Sequence, residues 1–115
     1  MKHTQLGAFE ELVLLTIGVL QGDAYGVAIK KEIAEQTGRM PSIGALHSAL
    51  SRLEKKGFID SHEGGATKER GGRRKRYYVM TGAGKKALVL SKELRNGLFD
   101  RIPGISLDNL SIRGI

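Results

Sequence analysis

The sequence predicts a mainly α-helical fold with a small β-hairpin, on three observations. Apolar residues recur at helical spacing in three successive segments. Two strand-forming runs then flank a glycine-rich basic loop, and a regular apolar stripe near the end marks a last helix. With 115 residues, 40% of them hydrophobic, the chain suits one domain with a single modest core.

The first segment places Phe9, Leu12, Val13, Ile17 and Leu20 at helical spacing, while Leu14, Leu15 and Val19 make it apolar on nearly every side. Such a helix needs cover from more than one direction. Gly22 is expected to stop it and Asp23 to cap a second helix, where Tyr25, Ile29 and Ile33 recur every four residues until Thr37 and Gly38. Glu10 and Glu11 read as solvating charge on the first helix.

Pro41 and Ser42 open a third helix, with Ser42 as N-cap, that runs to Lys56 before Gly57 closes it. Its predicted core stripe is Ile43, Leu46, Leu50 and Leu53. The opposite face carries Gly44, Ala45, Ser48, Ser51, Arg52 and Lys55, with His47 and Glu54 on the flank. That face is small at its N-terminal end and basic farther on.

Phe58 to Glu63 and Arg76 to Thr81 read as strands, and the intervening Gly-Gly pairs predict a long, mobile hairpin loop. Thr81 is expected to cap the last helix, whose stripe is Ala83, Ala87, Leu90, Leu94 and Leu98. From Arg101 onward Pro103-Gly104 breaks the pattern. Ile102, Ile105, Leu107, Leu110 and Ile112 are too apolar for disorder, and this tail is expected to fold back on the helices or on a partner.

The net charge of +7 is unevenly placed. Between Arg52 and Lys86 stand eleven lysines and arginines against four acidic residues, and elsewhere the two signs cancel. A concentrated basic segment is the electrostatic footprint of a polyanion-binding surface.

Three helices followed by a hairpin with a basic tip is the element order of a winged helix-turn-helix, here with a C-terminal dimerisation helix. In that arrangement the third helix enters the major groove and the wing reaches phosphates or the minor groove. The predicted DNA-binding residues are Ser42, Gly44, Ala45, His47, Ser48, Ser51, Arg52 and Lys55 on the helix, and Arg70, Arg73, Arg74, Lys75 and Arg76 on the wing. Small residues admit the helix backbone to the groove floor. Arg52, with Ser48 and His47, would touch bases, and the arginine run would hold phosphates without reading sequence. Dimerisation is expected through Phe9, Leu12, Leu15 and Val19 of the first helix and Ala87, Leu90, Leu94 and Leu98 of the last. Residues 1–82 would form the DNA-binding domain and 83–115 the dimerisation helix and tail, as one compact unit.

Other classes are disfavoured. There is no P-loop, no cysteine nucleophile, and His3, His47 and His62 lack metal-ligand spacing, so neither an enzyme nor a cofactor is expected. The longest apolar stretch, Leu12 to Leu20, is too short for a membrane span, and the start lacks a signal core, so a cytoplasmic location is expected. The alternative use of such a fold is a protein-interaction or RNA-binding module.

The residues also carry a family likeness. Leu12-Val13-Leu14-Leu15, Asp23-Ala24-Tyr25-Gly26, Ser42-Ile43-Gly44-Ala45-Leu46, Arg52-Leu53-Glu54 with Gly57, and Gly71 to Tyr78 leading into Thr81-Gly82-Ala83-Gly84 together resemble the PadR family of bacterial transcriptional regulators, over roughly residues 5 to 95. The resemblance implies a homodimer binding double-stranded operator DNA, usually as a repressor, and responding to a small-molecule effector or to stress. A cavity between the first and last helices of the dimer would be the effector's natural site. Two positions depart from the family: His47-Ser48 stands where Tyr-Pro is common, and Gly82 where a proline often opens the last helix.

Overall fold

The computed structural model describes residues 5–64 and 75–105. In chain order the elements are α1 (Ala8–Leu20), α2 (Gly26–Thr37), α3 (Ile43–Lys55), β1 (Ile59–Glu63), β2 (Arg76–Met80) and α4 (Gly82–Asp100). The predicted loop between the strands, with Arg70, Arg73 and Arg74, and the tail from residue 106 lie outside the described residues.

The core gathers one face from each of the first three helices and the start of β1. Val13, Leu14 and Ile17 of α1 meet Ile29 and Ile33 of α2, Leu46, Ala49, Leu50 and Leu53 of α3, and Ala24, Phe58 and Ile59 from the connections and β1. Burial of this apolar surface is the main term holding the three helices together. Ile43 is not part of it. Expected at the head of the α3 stripe, it is 61% exposed, because the buried arc of the helix begins only at Leu46, one turn later.

Helix ends follow local chemistry, with two exceptions. Ser42 Oγ accepts from the Ala45 N–H at 3.0 Å, and Thr81 Oγ1 accepts from the Gly84 N–H at 3.0 Å, so both predicted caps form. Gly38 ends α2 at φ 81°, a conformation that glycine adopts without strain. Asp23, however, does not cap α2. The N-cap is Tyr25, without a side-chain bond, and α1 ends not at Gly22 but at Gln21, whose φ is 41°.

β1 and β2 pair antiparallel, with Ile59 opposite Met80 and Glu63 opposite Arg76. The outer edge of β2 is also engaged. Tyr25 forms a bridge with Tyr77, and the Tyr78 N–H donates to the Ala24 carbonyl at 2.8 Å, so the turn before α2 acts as a third, minimal strand. Burial raises the pKa of the Tyr78 phenol in this setting.

The hairpin hands the chain to α4 through a tight joint. The Thr81 N–H donates to the Phe58 carbonyl at 3.0 Å and its hydroxyl to the Gly57 carbonyl at 2.7 Å. Gly84 sits so close to Phe58 that a Cβ there would collide with the Phe58 carbonyl oxygen. Beyond this joint α4 runs along α1, where Arg95 pairs with Glu11 at 2.9 Å and the Ser91 hydroxyl donates to Glu11 at 3.1 Å. No helix among the described residues is long and apolar enough to cross a membrane.

Candidate nucleic-acid interface

Burying Leu46, Ala49, Leu50 and Leu53 turns the rest of α3 outward. Gly44, Ala45, His47, Ser48, Ser51, Arg52 and Lys55 are all exposed, and no atom would meet a Cβ at Gly44 within 4 Å. The first turn is therefore a narrow, open edge whose free N–H groups carry the positive end of the helix dipole. The structure brings Ser42 and all seven of these predicted residues onto one element.

The two flanks of α3 are tied to different neighbours. On one side, the Ser61 hydroxyl of β1 donates to Glu54 Oε2 at 2.9 Å. On the other, Arg52 Nε donates to Glu10 Oε2 of α1 at 2.6 Å, and Lys56 Nζ donates to Glu10 Oε1 at 2.7 Å and to the Gln5 carbonyl at 2.7 Å. Glu10 is 5% exposed, which overturns its reading as solvating surface charge. Its position, third from the α1 N-cap, also lets it accept from the Gly7 N–H at 3.1 Å, so donors from Gly7, Arg52 and Lys56 converge on the buried carboxylate. Burial pushes its pKa up, but the bonds from Lys56, the Gly7 amide and Arg52 outweigh that, and the net value lies below the ordinary one.

Arg52 thus has a partner within its own chain, although its side chain remains 54% exposed. No local signal announced this pairing, since the two residues stand 42 positions apart. A glutamate at the third helical position, where its carboxylate can reach back to the amide of the N-cap, was the available hint.

Of the predicted wing residues, Lys75 and Arg76 are described. Arg76 opens β2 and is exposed. Lys75 places its Nζ 3.9 Å from the centre of the Tyr25 ring, a cation–π contact. Tyr25 meets Tyr77 edge-on at 5.5 Å between ring centres, and His62 stacks on Tyr77 at 5.7 Å. This aromatic cluster, which periodicity and composition did not reveal, fastens the root of the hairpin to the start of α2.

The predicted dimerisation residues divide. Leu15, Val19, Leu90, Leu94 and Leu98 are exposed, Val19 the most at 69%, whereas Phe9, Leu12 and Ala87 already pack against the chain's own core. Leu90, Leu94 and Leu98 line a groove of about 690 Å³ together with Leu6, Phe58 and Ala87. Among the described residues no group of three or more His, Asp or Glu side chains could hold a metal ion.

This architecture has close relatives. A transcriptional regulator from Clostridium thermocellum shares 30% sequence identity with a TM-score of 0.62, the alignment covering 82% of this chain and 91% of that one. A PadR family transcription regulator from Clostridium difficile R20291 shares 26% identity with a TM-score of 0.65, over 80% and 91% of the two chains. The hsRosR-S1 complex structure aligns with 27% identity and a TM-score of 0.64, over 95% of this chain and 86% of that one. No curated protein matches in sequence. The family described as "Transcriptional regulator PadR-like family" matches residues 14–89. With that match spanning most of the helices and the hairpin observed above, the chain belongs to the PadR-like family of transcriptional regulators.

Proposed function

We propose that the protein acts as a homodimeric repressor that binds operator DNA in a sequence-specific manner. The open first turn of α3 carries this reading: a capped helix end with Gly44, Ala45, Ser48 and Ser51 turned outward has the width and donor groups to enter a major groove. Lys55 and Arg76, with Lys75 and the arginines at 70, 73 and 74, would meet phosphates on either side. Base contacts fall to the Ser42 to Ser48 end, including His47, while Arg52 shares its guanidinium between Glu10 and the DNA.

The uncovered apolar faces support dimerisation. Leu15 and Val19 of α1 and Leu90, Leu94 and Leu98 of α4 would be buried against a second copy, residues 83–115 supplying the dimer helix and tail. A small-molecule effector held beside α1 and α4 would release DNA by binding two dimer spacings unequally. A compound that binds the dimer and leaves operator affinity untouched would argue against that part of the reading.

The deciding experiment is titration of the full chain against duplex DNA, RNA and an empty control at several salt concentrations. Duplex affinity should fall by on the order of a thousandfold between about 50 and about 200 mM salt if about six phosphates are contacted. A flat response, or equal affinity for RNA, would remove the reading. Two half-sites about 34 to 36 Å apart should be protected together, as a two-fold dimer demands.

A further inference from the structure

We infer that Ile43 is a specificity-determining residue, reading the C5-methyl group of a thymine in the major groove. The inference rests on the DNA-binding role proposed above and extends it to a residue and a base. Ile43 is a large apolar side chain left 61% exposed at the first position of α3, directly after the Ser42 cap. Its helix supplies no cover: the buried arc starts at Leu46, and the next residue, Gly44, has nothing around the place where a Cβ would stand.

The chemistry narrows the partner. If the N-terminal turn of α3 meets base edges, the groups it finds there are mostly hydrogen-bond donors and acceptors, and the thymine methyl is the one apolar substituent that projects from them. Ile43 can offer neither donor nor acceptor from its side chain. Its only favourable contact on a groove floor is therefore apolar, and the small residues at 44 and 45 let the backbone come near enough to make it. His47, one turn along the helix, is likewise exposed and would offer polar contacts to a neighbouring base pair.

The test removes only the methyl. Duplexes bound by the full chain are selected from a random pool, and each thymidine of the selected sequence is replaced in turn by deoxyuridine. Wild-type protein should lose about fourfold in affinity at one position per half-site, the worth of one buried methyl-sized group. Ile43→Ala should bind the thymine and uracil duplexes equally, and Ile43→Val should keep part of the preference. Because Ile43 is exposed, both variants should match the wild type in thermal denaturation. Selective duplex binding with every uracil replacement tolerated, or with Ile43→Ala retaining the wild-type preference, overturns the role of Ile43 while leaving DNA binding intact. If no sequence is enriched and no duplex is bound, the DNA-binding reading fails and the inference falls with it.

Discussion

Glu10 of α1 and Arg52 of α3 are joined by a 2.6 Å hydrogen bond between charged groups, on the same carboxylate that Lys56 reaches at 2.7 Å. The carboxylate is buried and the guanidinium half in solvent, so the bond is stronger than a surface pair and weaker than an enclosed one. Through it the first helix grips the C-terminal half of the helix proposed to read DNA.

Replacing Glu10 by Ala should lower unfolding stability by about 1–3 kcal/mol, the range for losing hydrogen bonds to a charged group with one partner left in solvent. Chemical denaturation near neutral pH reads this directly. A change below about 0.5 kcal/mol would show that the node holds nothing.

The same carboxylate imposes a pH dependence. Its pKa in the folded protein is lowered from the ordinary 4.5, so its stabilising contribution is complete above that value and fades as pH falls through the folded pKa. The stability gap between wild type and Glu10→Gln should stay constant from about pH 6 to about pH 8 and narrow below about pH 4.5. A gap that widened in acid would reverse the sign assigned here.

At the hairpin root, Tyr25→Ala removes both the edge-on contact with Tyr77 and the cation–π contact with Lys75. The expected cost is about 1–2.5 kcal/mol. Tyr25→Phe keeps the ring and should stay within about 0.5 kcal/mol of wild type. If duplex binding is then compared at several salt concentrations, the alanine variant should show the shallower slope, because Lys75 and the adjoining Arg76 lose their anchorage.

The joint between hairpin and last helix admits no side chain at residue 84. Gly84→Ala must push α4 away from the Phe58 carbonyl, at a cost of about 1–3 kcal/mol in thermal or urea unfolding. Full stability in this variant would mean that the approach is looser than observed.

Leu90 and Leu94 offer the clearest test of assembly. The double substitution Leu90→Glu and Leu94→Glu places charge on an exposed apolar stripe, leaving the core intact, and should raise the dimer dissociation constant by on the order of a hundredfold or more. Sedimentation equilibrium distinguishes the outcomes, and a wild-type chain that sediments as a monomer at micromolar concentration would sink the dimer.

Much of this molecule is written locally. Periodicity located four helices, Ser42 and Thr81 announced two caps by hydroxyls that accept from an amide three residues on, and the run Tyr77 to Met80 declared a strand. Such features depend on neighbours within a turn or a pleat, and a sequence carries those neighbours with it. Ile43 shows the limit. Its spacing with Leu46 and Leu50 is that of a core residue, but spacing says nothing about where the facing helices end.

From sequence alone came the element order, the outward face of α3 and the concentration of charge after Arg52. Only the folded chain decided that Glu10 is a buried anchor, that Tyr25 fastens the hairpin, and that Phe9, Leu12 and Ala87 are half-buried against the core of their own chain. The reason is distance along the chain. Partners such as Glu10 and Arg52, or Tyr25 and Lys75, are chosen by how whole helices pack, and desolvation and charge pairing act on that arrangement rather than on adjacent letters.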